Sequence, residues 1–189
     1  MSFKLIIAII SVVILGFGGY LLFGGSTSSI VAPLRPFVSV SQPPAVFDPL
    51  NATYTIDEQP ITLAEGKYKG EAVPGSGVED TVQIFGVPVV GDFDNDGDSD
   101  AVMMLVENPG GTGTFYYITS AVNENGKTKG TNAIFIGDRI SPKNIEVQER
   151  KIIVNYADRK PDEPMAVAPS VSIAKQFVVA QGILREAAQ

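Results

Sequence analysis

The chain has 189 residues, a net charge of −7 at pH 7 and neither cysteine nor histidine. This composition excludes disulfides, thiolate zinc sites, a lipid-bearing cysteine and a Ser-His-Asp triad. The sequence has no cluster of basic residues, which argues against binding to nucleic acid. Any enzyme on this chain would have to use carboxylates, lysine or tyrosine.

The first predicted element is a membrane helix. Residues 5–23 contain no charged side chain, and as a helix they would span about 28 Å, close to the hydrocarbon thickness of a bilayer. Lys4 precedes the stretch and favours a cytoplasmic N-terminus with the remainder outside. A cleaved signal peptide is the alternative, and both readings place the rest of the chain outside the cytoplasm.

Three segments follow from the distribution of apolar and proline residues. Residues 1–24 are predicted to be a signal anchor, residues 25–50 a Ser/Pro-rich tether, and residues 51–189 an extracytoplasmic β-domain. The tether begins with Gly and Ser and continues with five prolines between positions 33 and 49. Residues 37–40 could instead add an edge strand to the domain.

Beyond residue 51, short β-rich segments alternate with turn signals. Asn125-Gly126 is a hairpin signal, and Gly86 and Pro88 predict a kink within one strand. The strand candidates, in chain order, are residues 54–56, 61–63, 81–90, 101–106, 114–122, 133–136, 145–148, 152–156 and 171–179. This pattern predicts a mainly β fold, an antiparallel sandwich or a barrel-like sheet, with a small α+β domain as the alternative.

One segment carries specific chemistry, because aspartate occupies every second position from 92 to 100. These residues are Asp92, Asp94, Asp96, Asp98 and Asp100. In a strand their charges would share one face, which is unfavourable, so the segment should leave the sheet and gather a cation. Calcium takes 6–8 oxygen ligands, and a D-x-D-x-D-G loop supplies them. The spacing predicts side-chain ligands at 92, 94 and 96, the carbonyl of Asp98, and Asp100 directly or through water.

The loop departs from an EF-hand, since Met103 stands where the bidentate Glu belongs and the flanks are strand-like. Residues 90–102 (VGDFDNDGDSDAV) resemble the calcium loop of FG-GAP and VCBS repeats, found in integrin-type β-propellers and bacterial surface proteins. The resemblance implies calcium held between two strands by the matched positions Asp92, Asp94, Asp96 and Asp100. It does not imply a propeller, because the chain has one such loop.

A broader resemblance links the domain to small, uncharacterised exported bacterial proteins. Four segments carry it, namely residues 51–56 (NATYTI), 113–117 (GTFYY), 137–140 (GDRI) and 154–161 (VNYADRKP). The resemblance implies a shared exported β-fold and no particular activity.

Three further groups of residues are weaker candidates. Asp158, Asp162 and Glu163 could form a carboxylate pair for glycoside hydrolysis, but a solvated charged loop is the favoured interpretation. Asp138 and Arg139 predict an ion pair that stabilises a turn. Phe115, Tyr116 and Tyr117 are consecutive, so a strand places aromatic rings on both of its faces. At least one ring should lie in the core, and an exposed ring could bind glycan or peptide.

The predicted function combines these features. We expect a membrane-anchored, extracytoplasmic, calcium-binding module that is not an enzyme and binds an envelope glycan or protein, with calcium in a structural role. Two alternatives remain, a carboxylate-based hydrolase acting on cell-envelope material and a structural subunit of a membrane complex.

Overall fold

The computed structural model describes residues 46–188, and within them it contains twelve β-strands and one short 3-10 turn. The strands are β1 (Thr53–Ile56), β2 (Gln59–Thr62), β3 (Lys67–Glu71), β4 (Glu79–Gly91), β5 (Asp100–Asn108), β6 (Phe115–Glu124), β7 (Lys127–Gly130), β8 (Ile134–Asp138), β9 (Ser141–Gln148), β10 (Lys151–Asp158), β11 (Val171–Ala180) and β12 (Ile183–Glu186). The predicted mainly β fold is confirmed. Residues 46–188 contain no α-helix, which the α+β alternative would require.

The predicted membrane anchor and residues 25–45 of the predicted tether lie outside the described residues, as does the strand alternative at 37–40. Within residues 46–188, no helix is long and apolar enough to cross a membrane. The last predicted tether residues lie against the domain. The backbone N–H of Asp48 donates to the Thr128 hydroxyl at 2.6 Å, and the carbonyl of Pro49 accepts a hydrogen bond from the Tyr54 hydroxyl.

The strands form three antiparallel sheets. The first is the β1–β2 hairpin; the second has the order β3-β4-β5-β6-β7, with β8 also paired to β6; the third has the order β12-β11-β10-β9. Both larger sheets are open at their ends, so the described strands do not close into a barrel. The last predicted segment, residues 171–179, forms the single strand β11, and the chain then turns at Gln181–Gly182 into β12, which the sequence analysis did not predict.

The six-stranded sheet is covered on both faces, which gives the domain two apolar cores. Val102 and Met104 of β5 pack with Ile152, Val154 and other residues of the four-stranded sheet. Successive residues of a strand point to opposite faces, so the intervening side chains of β5 pack beneath the β1–β2 hairpin. This double coverage explains why all six residues from 101 to 106 are apolar and buried.

The loop of aspartates connects β4 and β5, as the strand–loop–strand prediction required. The two strands pair up to Gly91 and Asp100, directly at the ends of the loop. The pairing is interrupted between Phe85 and Val89, where the predicted kink at Gly86 and Pro88 is confirmed. Gly86 has φ of 78°, a left-handed conformation that glycine adopts without steric cost.

Candidate metal centre

Three of the five loop aspartates converge. Asp92, Asp94 and Asp100 each offer a carboxylate oxygen, and these oxygens lie within 4.8 Å of one another. Asp92 is exposed, Asp94 is half-buried and Asp100 is fully buried, so the group extends from solvent to the edge of the core. Oxygens on opposite sides of one calcium ion are about 4.6–5.2 Å apart, so the group fits within one coordination sphere.

Side-chain hydrogen bonds to the backbone shape the exposed part of the loop. Asp92 accepts from the backbone N–H of Asn95 at 2.7 Å through Oδ1 and from that of Gly97 at 3.3 Å through Oδ2. Asn95 and Gly97 have φ of 69° and 95°, in the left-handed region that Asn and Gly tolerate best. The chain therefore curls around the Asp92 carboxylate.

Asp100 anchors the other end of the site. Its Oδ2 accepts the backbone N–H of Phe93 at 2.9 Å, and its Oδ1 accepts the backbone N–H of Asn123 at 2.9 Å. The Asn123 side chain also donates to the carbonyl of Ser99 at 3.3 Å. Each carboxylate oxygen has two lone pairs, so these bonds leave acceptor capacity for a cation.

Phe93 holds the loop against the core. Its side chain is almost completely buried, within the cluster that lies between the two larger sheets. The ring also lies where a side chain at position 91 would stand, since a Cβ on Gly91 would come within 2.7 Å of it. A single apolar residue within the acidic repeat therefore fixes the polar loop to the sandwich of sheets.

The electrostatics of the group favour a cation. Burial raises the pKa of Asp94, and the neighbouring charges of Asp100 and Asp96 raise it further. Burial also raises the pKa of Asp100, although its two backbone hydrogen bonds oppose that shift. Among the ion pairs of residues 46–188, none involves a loop aspartate. A hard divalent cation would supply the missing positive charge.

The remaining predicted ligands stand outside the convergent group. The Asp96 carboxylate accepts the backbone N–H of Asp98 at 2.8 Å, and Asp98 is half-buried. Sequence analysis did not identify Asn123 or Phe93 as parts of the site. The phenylalanine between aspartates was a usable signal, because phenylalanine is among the residue types most often buried. Nothing local marks Asn123, which lies on another strand.

The weaker candidates have structural partners. Asp138 forms the predicted ion pair with Arg139 at 2.7 Å and accepts the backbone N–H of Thr114, and the Arg139 hydrogen bond lowers the pKa of Asp138. Asp158 and Glu163 line one cavity with Asp162, but both accept hydrogen bonds from the backbone of their own loop.

The predicted core ring among the alternating aromatics is Tyr117, which is buried beneath the β1–β2 hairpin. Phe115 and Tyr116 are half-buried and pack against opposite cores. The most exposed ring near them is Phe135 of β8, which contacts Phe115 and Tyr117 edge-on at 6.1 and 5.5 Å.

Fold and site together define a mainly β domain of open antiparallel sheets, in which an acidic loop joins the ends of β4 and β5. Comparison of the chain with family models, with curated proteins and with solved structures found no match. The resemblance of the loop to FG-GAP and VCBS repeats therefore stays a prediction from residues 90–102.

Proposed function

We propose that the domain binds one calcium ion in the loop between β4 and β5, and that the ion stabilises the fold. The observation that carries this proposal is the convergence of Asp92, Asp94 and Asp100 around a fully buried carboxylate. Without a cation, three negative groups share a small region that water reaches from one side only. Calcium is favoured over magnesium because a loop rich in protein oxygens suits its larger, flexible coordination sphere.

A structural role follows from where the loop is attached. Both strands that flank the loop belong to the six-stranded sheet. Phe93 connects the loop to the core, and Asp100 connects it to β6. An ion at this position would lock the end of the β4–β5 hairpin. A calcium sensor would instead need an element that moves when the ion binds, such as the helix pair of an EF-hand.

Calorimetric titration of the full-length chain tests the metal site. Calcium should bind with a stoichiometry of one, and magnesium should bind more weakly. The variants Asp92→Asn and Asp94→Asn should lose most of the binding. Asp98→Asn is the matched control, because it removes one loop charge outside the convergent group and keeps its backbone carbonyl. Absence of any calcium heat in the parent chain would refute the proposal.

A fourth variant, Asp96→Asn, separates two arrangements of ligands. If the ligands follow the spacing predicted from the sequence, this substitution should weaken calcium as strongly as Asp92→Asn. If the convergent group alone holds the ion, its effect should be close to that of Asp98→Asn. Both results are compatible with a calcium site, and they assign its ligands.

We further propose that the domain is held outside the cytoplasmic membrane by residues 5–23 and acts as a binding module for an envelope glycan or protein. The uncharged length of that segment and Lys4 support the location. Protease added to intact spheroplasts should digest the domain while the chain sediments with membranes. An intact, protected domain, or a chain found in the cytosol, would contradict the location. Pull-down from envelope extracts, with calcium or with chelator, tests the binding role.

A further inference from the structure

A second group of acidic residues surrounds a cavity of about 480 Å³ at the end of the β4–β5 pair opposite to the aspartate loop. The cavity lies between the β1–β2 turn, the end of β3, and the paired ends of β4 and β5. Its acidic lining residues are Asp57, Glu71, Asp80 and Glu107. None of the described residues that line it is basic, and the sizes of ligand pockets for small molecules include this volume.

Asp80 is the residue that points to a ligand. It is only 8% exposed, and its Oδ1 has no hydrogen-bond partner, the single buried side-chain polar atom of residues 46–188 in that condition. A buried carboxylate oxygen without a donor is costly, and most such oxygens in folded proteins are paired. Because Asp80 lines the cavity, a donor bound there would satisfy the carboxylate once the side chain rotates toward it.

One tyrosine hydroxyl lies within reach of two of these carboxylates. Tyr117 donates its hydroxyl to Asp57 Oδ2 at 3.2 Å, and Glu107 lies close enough to compete for the same hydrogen. A phenol has one O–H, so it serves one carboxylate at a time. Burial raises the pKa of Asp80 and of Glu107, although hydrogen bonds from the Thr81 backbone and the Tyr117 hydroxyl oppose the two shifts.

The geometry argues against a metal ion here. Among residues 46–188, the loop aspartates are the one group of three whose ligand oxygens come within 4.8 Å of one another. No three carboxylates of the cavity are therefore close enough together to share a single ion. A larger cation with several N–H donors suits them better, because each N–H can reach a different carboxylate.

The walls of the cavity indicate which kind of chemical group carries the positive charge of the ligand. Apolar and aromatic residues stand between the carboxylates, namely Ile56, Pro60, Ile61, Tyr68, Ala72 and Pro74. Such walls pack against methylene groups, and a tyrosine ring attracts a cation. We propose that this cavity binds an alkyl cation, a primary ammonium or a guanidinium on an aliphatic chain, with Asp80 and Glu107 as its main acceptors.

Ligand-observed NMR on the full-length chain, at neutral pH and with calcium held constant, tests the proposal. The probes are n-butylammonium, n-propylguanidinium and the neutral analogue butan-1-ol. At least one cation should bind saturably and more tightly than the alcohol. Stronger binding of the first indicates a lysine-like ligand, and stronger binding of the second an arginine-like ligand. Binding of the alcohol as tight as that of both cations would overturn the proposal.

Two variants assign the binding to this cavity. Asp80→Asn keeps the shape and removes the unpartnered charge, so cation binding should weaken about tenfold or more. Glu107→Gln provides the same test on the neighbouring strand, should the first variant fold poorly. Glu149→Gln is the matched control, since it removes an equal charge from the exposed β9–β10 turn. Equal binding by parent chain, Asp80→Asn and Glu107→Gln would refute the assignment.

Discussion

The backbone N–H of Asn123 donates to Asp100 Oδ1 at 2.9 Å and so joins the last aspartate of the loop to strand β6. Asp100 is thereby fixed from two sides, because Phe93 donates to its other oxygen. The buried member of the candidate site is positioned by the protein itself. In the proposed calcium site, only the exposed Asp92 and the half-buried Asp94 would then need to adjust to the ion.

Replacing Asp100 should destabilise the protein even without metal. Asp100→Ala leaves two backbone N–H groups without their acceptor, and we expect a loss of about 2–4 kcal/mol in the free energy of unfolding. Urea denaturation of the full-length chain in chelator measures it. Asp98→Ala should change little, because the half-buried Asp98 side chain makes no hydrogen bond within residues 46–188. Equal stabilities for the two variants would show that Asp100 contributes only through an ion.

Removing the Phe93 ring should weaken both fold and metal site. Phe93→Ala leaves a cavity in the core between the larger sheets, with an expected cost of about 3–5 kcal/mol. Because the ring also fixes the loop, calcium affinity should fall as well. Urea denaturation and calcium titration measure the two effects. Val87→Ala, at a side chain that is 83% exposed, should stay within about 0.5 kcal/mol of the parent chain.

Much of the fold could be predicted because local patterns coincide with the final packing. The apolar run at residues 101–106 marks a strand buried on both faces, and the Asn125-Gly126 turn marks the β6–β7 hairpin. Strand β3 was missed, since Lys67–Glu71 is polar and contains a glycine. It is a strand only because it pairs along β4 at the edge of the sheet, an arrangement that its own residues do not encode.

The site shows the same division between local and long-range information. The spacing of the aspartates located the loop, but it could not show that the Asp96 carboxylate turns to the Asp98 backbone instead of joining Asp92. The cavity around Asp80 was missed altogether. Asp80 and Glu107 come together through the register of β4 and β5, in which Val82 pairs with Glu107.

The pH dependence of stability should reveal the buried charge of Asp80. Burial raises its pKa above the ordinary value of 3.8, so the folded state holds this proton more tightly than the unfolded state. Stability contributed by the protonated form is therefore present at low pH and is lost as pH rises from about 3.8 through the folded pKa. Asp80→Asn cannot ionise, so its free energy of unfolding should rise relative to that of the parent chain as pH increases through that window.

Urea denaturation at several pH values, without added cation, measures the difference between these two chains. The stability of Asp80→Asn relative to the parent should increase from acidic to neutral pH and then level off. Glu149→Gln, with an exposed side chain, should show no such trend. A difference that shrinks as pH rises would mean that the Asp80 carboxylate is better stabilised in the folded state than its surroundings indicate.

Gly130 should be intolerant of a side chain because the β1–β2 hairpin lies against it. A Cβ at this position would overlap the carbonyl oxygen of Thr53 and approach the Tyr54 ring at 2.8 Å. The backbone carbonyl cannot rotate away, so Gly130→Ala should move β1 and cost about 1–3 kcal/mol. Gly111→Ala is the control, because nothing lies within 4 Å of its Cβ position.

Movement of β1 should also lengthen the hydrogen bond from the Thr55 N–H to the carbonyl of Thr131, which is 3.2 Å in the parent chain. Amide exchange at Thr55 should therefore accelerate in Gly130→Ala more than the global loss of stability requires, and it should be unchanged in Gly111→Ala. Equal exchange rates in both variants would mean that the hairpin is not held at this contact.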